Sequence, residues 1–77
     1  MDKLHSPYRY TTDFAVNHNV GSTSLKLIRS GAKGVHTAAE IVFWDAVGQF
    51  NISAFEELPI EVLELFVAEA KDRIRVS

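Results

Sequence analysis

Apolar and polar positions recur with two different periods along this 77-residue chain, and the change of period divides it. In "LPIEVLELFVAEAKDRIR", Leu58 to Arg75, apolar residues return every three or four positions. At 100° per residue Ile60, Val62, Leu63, Phe66, Val67, Ala70 and Ile74 fall within one arc of about 160°, as in an amphipathic helix. Pro59 suits the first helical position, where a missing N–H is no loss. Glu56, Glu57 and Glu61 gather at the positive end of the helix dipole, and Lys71, Arg73 and Arg75 at the negative end. Leu65 falls on the polar side with Glu61, Glu69 and Asp72, and a lone exposed leucine is normal.

Upstream the period is two. "TAAEIVFWD" and "QFNISAF" read as strands rich in β-branched and aromatic residues around the turn "DAVG". Asp45 first and Gly48 fourth is a type I turn signature, with Gly48 free to take positive φ. Two registers are open. One pairs Phe43 with Phe50 and Ile41 with Ile52; the other, through a glycine bulge, pairs Trp44 with Phe50 and Val42 with Ile52. Farther upstream, Leu25 and Leu27 alternate with Ser24 and Lys26, although Leu25 and Ile28 also have helical spacing and Ser22 suits a helix cap. The strand reading is favoured, because "SGAKG" is a compact turn cluster and a strand from Thr23 to Arg29 gives the long strand after Val35 a second neighbour.

The expected architecture is α+β. It is a small three-stranded antiparallel meander with one C-terminal amphipathic helix on one face, a β-β-β-α domain over residues 21–77. In residues 1–20, "YRYTTDFAV" alternates Tyr8, Tyr10, Thr12, Phe14 and Val16 against Arg9, Thr11, Asp13 and Ala15. Flanked by Pro7 and the polar "NHN", it reads either as a fourth strand at the sheet edge or as an arm that orders on a partner.

The run Ile41, Val42, Phe43, Trp44 has a consequence. Neighbouring side chains of a strand point to opposite faces, and one helix covers only one of them. Either register leaves two large apolar groups outward, and burying each contributes about 1.5–3 kcal/mol toward a small domain's total of about 5–15 kcal/mol. Their cover is the N-terminal segment, a second copy in a twofold homodimer, or another protein. The expected partner interface is Trp44, with Val42 or Phe43, Phe55, Tyr8 and Tyr10.

Composition narrows the setting. Hydrophobic residues at 47% and charged residues at 23% suit a folded chain of one domain. With no cysteine, disulfides and thiolate zinc sites are excluded, which leaves oligomerisation as the usual aid to a core this small. No signal-like apolar run opens the chain and no window approaches the roughly 18 apolar residues of a membrane span, so a soluble, cytoplasmic protein is expected. Without a secretory signal "NIS", Asn51 to Ser53, reads as a strand tripeptide rather than a glycosylation acceptor.

A net charge of -2 argues against a protein built to neutralise phosphates, though the charge is segregated: +3 over residues 21–37 and -7 over 38–69. The alternative function is therefore a nucleic-acid or anionic-ligand module using Lys26, Arg29 and Lys33. Signals for catalysis are weak. His5, His18 and His36 lack the spacing that places two rings on one helical face, no GxSxG elbow is present, and "SGAKG" lacks the GxxxxGK[ST] spacing. Glu40 acquires a raised pKa only if it points to an apolar face beside Trp44; cross-strand pairing with Lys26 is the reading taken. The expectation is a non-enzymatic protein, without metal or cofactor, that acts by association with itself or another protein.

Overall fold

The computed structural model describes residues 1–74; Arg75, expected in the last helical turn, lies outside the described residues. Five strands, β1 (Asp2–His5), β2 (Tyr8–Asn17), β3 (Ser22–Gly31), β4 (Gly34–Trp44) and β5 (Gln49–Ala54), precede one helix, α1 (Ile60–Arg73). The strands form a single antiparallel sheet in sequence order, so the architecture is an α+β meander with a C-terminal helix. Among the described residues no helix is long and apolar enough to cross a membrane.

The strand count is five rather than three or four. Residues 1–20 are neither an arm nor one edge strand, because β2 pairs with β3 from Arg9↔Ser30 to Asn17↔Ser22 and β1 then pairs with the other side of β2. Burial explains why β2 is interior. Its even-numbered residues share a face with Leu25 and Leu27, and Tyr10 is fully buried there. With four residues, β1 is too short for its alternation to stand out in the sequence.

The β4–β5 register is the plain one: Ile41↔Ile52, Phe43↔Phe50 and Trp44↔Gln49. Asp45 to Gly48 form the connecting loop, in which the Trp44 carbonyl accepts from Val47 N–H at 3.3 Å and Gly48 N–H at 2.9 Å. Gly48 has φ of 61°, a left-handed value that glycine adopts at little cost. The irregularity lies instead between β3 and β4, where the register shifts at Leu27/Ile28. The extra residue lets consecutive Ala38 and Ala39 both be buried, against the usual alternation.

Helix α1 lies on the face carrying Tyr10, Phe14, Leu25, Leu27, Ile41 and Phe43, and contributes Val62, Phe66 and Ala70 to that core, which its C-cap Ile74 also joins. Pro59 is the N-cap rather than the first helical residue, and Ile60 is exposed, so the apolar arc engages the sheet only from Val62. Leu65 is exposed, as its place on the helical wheel requires.

Polar contacts tie one flank of the helix to the N-terminal strands. Glu69 receives the Met1 ammonium and hydrogen bonds from the Thr12 hydroxyl at 2.7 Å and Arg73 at 3.0 Å, and Lys3 pairs with Glu61 at 3.1 Å. The Arg73 guanidinium also lies over the Phe14 ring at 4.8 Å. These contacts hold α1 over β2, β3 and β4 and leave β5 beside the helix.

The opposite face is mostly solvated, as antiparallel sheets permit. Asp13, Lys26 and Glu40 stand directly opposite one another across β2, β3 and β4. Glu40 thus faces a lysine rather than the apolar layer under the helix.

Candidate interaction surface

The residues expected to form one apolar patch are divided between the two faces. Val42 and Trp44 point away from the helix, where Val42 lies between Ser24 and Asn51 and Trp44 between Ser22 and Gln49. Small and polar neighbours on the adjacent strands confine this surface to Val42 and Trp44, the latter 38% exposed. Phe43 and Tyr10 belong to the core and do not stand beside Trp44. Their parity in β4 and β2 places them under the helix, and the Phe43 ring packs on Phe50 at 4.8 Å between centroids. Tyr8 is half-buried on the same side, its ring against Tyr10 at 6.5 Å. Phe55 is exposed just beyond β5.

The three cations of the alternative reading do not converge. Lys26 is on the open face, Arg29 is on the helix face, and Lys33 sits in the tight turn between β3 and β4. Arg29 and Lys33 border one cleft of about 220 Å³ with Tyr8 and His36. Arg29 is already compensated there, paired with Glu56 at 2.9 Å and stacked over Tyr8 at 4.3 Å.

What the sequence reading missed is the edge of the sheet at β5. Every residue of β5 is exposed, although Phe50 and Ile52 point to the helix side. Between this strand and α1 runs an apolar groove of about 130 Å³, lined by Ile41, Phe50, Ile52, Val67, Ala70 and the Lys71 stem. The hydrogen-bonding direction of β5 follows from one contact, since Phe55 N–H donates to the Ala38 carbonyl at 2.8 Å and so points toward β4. Successive residues of a strand direct their backbone groups to opposite sides. Gln49, Asn51 and Ser53 therefore face β4, while Phe50, Ile52 and Ala54 direct theirs outward.

The two sheet edges differ in chemistry. At β1, four residues long, Asp2 accepts from Arg9 Nε at 2.8 Å, and this guanidinium holds the Asp2 carboxyl below the usual carboxylate range. Lys3 adds its pair with Glu61. Short length and charge are the means by which sheet edges resist further pairing. From Ala46 to Phe55 there is no charged residue and no proline. That absence is legible in "AVGQFNISAF" and was the available signal.

Titratable groups are dispersed. His5 ends β1, His18 is in the β2–β3 turn and His36 is in β4; among the described residues no group of three or more His, Asp or Glu could hold a metal ion. Burial pushes the Glu69 carboxyl up, but hydrogen bonds from the Met1 ammonium, Thr12 and Arg73 together outweigh it and leave the pKa lowered.

These features define a small α+β meander with one charged, short edge and one uncharged, open edge. Compared with protein-family models, curated proteins and solved structures, the chain matches none.

Proposed function

We propose that this protein is non-enzymatic and works by association with another polypeptide, through the open edge of β5 and the apolar groove between β5 and α1. The observation that carries the reading is β5 itself, a six-residue edge strand with outward backbone donors and acceptors, exposed Phe50 and Ile52, and no charge. Such an edge accepts an added strand: main-chain hydrogen bonds supply affinity, and the groove takes the apolar side chains of the incoming segment. Trp44 and Val42, on the other face, flank the contact rather than form its centre.

Amide hydrogen exchange at high dilution tests this. The Phe50, Ile52 and Ala54 amides are expected to exchange rapidly while Gln49, Asn51 and Ser53 are protected. Equal protection of both sets in the dilute protein would mean the edge is already occupied within the chain, and the reading would fail.

A further inference from the structure

Resting on that reading, we infer that the occupant of the β5 edge is a second copy of this chain, paired antiparallel about a twofold axis at Asn51. The order of side chains along the edge points to it. From Val47 to Phe55 the sequence "VGQFNISAF" has the same polarity read in either direction. Antiparallel pairing centred on Asn51 sets Phe50 of one copy opposite Ile52 of the other and Gln49 opposite Ser53, and brings the turn residues Val47 and Gly48 toward the end of the other copy's β5, past the paired residues.

The two large apolar residues of the strand, Phe50 and Ile52, meet each other, and no like charges meet along it. Centring the pair on Ile52 instead would put Phe50 opposite Ala54 and Val47 opposite Glu57.

The backbone agrees with this register. Because Phe50 and Ile52 direct their N–H and C=O outward, Phe50 and the other copy's Ile52 exchange both backbone bonds. The two Asn51 residues form a non-hydrogen-bonded pair on the open face, with Cα atoms about 4.5 Å apart. The result is one continuous sheet through two copies of β5. Asn51 amides stack across the axis on one face, and the Phe50 and Ile52 side chains form the floor between the two helices on the other.

The exposed area fits a weak, reversible dimer. Phe50 and Phe55 are 37% and 59% exposed, so at about 150–250 Å² per aromatic residue they leave roughly 150–240 Å² in water. Val47 and Ile52, 68% and 52% exposed, add to this area, which is divided between two faces: Phe50 and Ile52 open to the helix side and Phe55 to the other. Counted on two copies the apolar area stays below the roughly 1,200 Å² at which stable specific interfaces begin, so the dimer is weak and dissociates on dilution.

Cysteine cross-linking reads the register directly, because the chain has no cysteine of its own. Mild oxidation of Asn51→Cys is expected to yield a covalent dimer as the main product, since the paired Cα distance lies within the range a disulfide spans. Ser53→Cys, displaced from its own mate by four residues, is expected to remain mostly monomeric. Sedimentation of the unmodified protein over a hundredfold concentration range should show a monomer–dimer equilibrium, and Ile52→Lys should raise its dissociation constant tenfold or more with the circular dichroism spectrum unchanged.

A dimer in which Ser53→Cys cross-links and Asn51→Cys does not would overturn the Asn51-centred pairing. A monomer at every concentration whose Phe50, Ile52 and Ala54 amides exchange rapidly would overturn self-pairing while leaving the open edge to another polypeptide. A monomer with those amides protected would remove both readings.

Discussion

Replacing Phe43 and Trp44 in turn by alanine tests the face assignment on which the interaction surface depends. The two residues are adjacent in β4, yet Phe43 is 5% exposed beneath α1 and Trp44 is 38% exposed among Ser22 and Gln49. Phe43→Ala removes a core ring in contact with Phe50 and leaves a cavity, at a cost of about 3–5 kcal/mol. Trp44→Ala gives up only partial burial, and water fills the space, so about 1–2 kcal/mol is expected. For a chain of 77 residues the total is about 4–12 kcal/mol at 0.05–0.15 kcal/mol per residue. The first substitution therefore removes a large fraction of the stability and the second a modest one.

Urea unfolding followed by far-ultraviolet circular dichroism measures both without relying on the tryptophan. All samples should be at one protein concentration, because association adds stability by mass action. If Phe43→Ala does not fold, Phe43→Leu against Trp44→Leu keeps the comparison, at about 1–1.5 kcal/mol against an expected surface effect within about 0.5 kcal/mol. A loss at Trp44 equal to or larger than that at Phe43 would contradict the burial of Phe43 beneath α1. It would place the helix on the other face, since a slip of one residue exchanges every side chain between faces.

Glu69→Gln is expected to cost about 1.5–3 kcal/mol at pH 7, the usual contribution of hydrogen bonds to a charged group. Because the folded pKa of Glu69 is lowered, its contribution is full above the unfolded pKa near 4.5 and disappears as pH falls through the folded value. The stabilities of the two proteins should therefore converge in acid, and a constant gap from pH 7 to pH 3 would contradict the assignment. Gly31→Ala places a Cβ 2.8 Å from the Tyr8 ring, which is held beneath Arg29. A loss of about 1–3 kcal/mol is expected, and most of it should vanish when Tyr8→Ala is made in the same chain; additive losses would show that the clash is not the cause. Ile52→Lys should leave this monomer stability within about 0.5 kcal/mol, since its side chain stands at an exposed edge. A larger loss would mean that β5 is packed more deeply than its exposure implies.

Much of the architecture is carried by local pattern. The helix, the β4–β5 hairpin, its Asp45–Gly48 turn and the strand character of Ser22 to Gly31 follow from periodicity and turn chemistry, which act over a few residues and are written in sequence order. The position of Glu40 opposite Lys26 across the strands also follows from alternation once the strands are adjacent.

The placement of Tyr10 and Phe43 in the core depended on which face the helix chose, and the interior position of β2 on the pairing of β1 along its far side. The separation of Lys26 from Arg29, three residues apart on one strand, and the uncharged stretch of β5 are local features. Period-two alternation marks two faces without naming either as inner, and that choice is made only when an element remote in sequence settles on one of them. Here the contacts from Met1, Lys3 and Thr12 to α1 hold the helix toward the N-terminal strands. β5 is left uncovered because one helix is too narrow to cover a sheet of five strands.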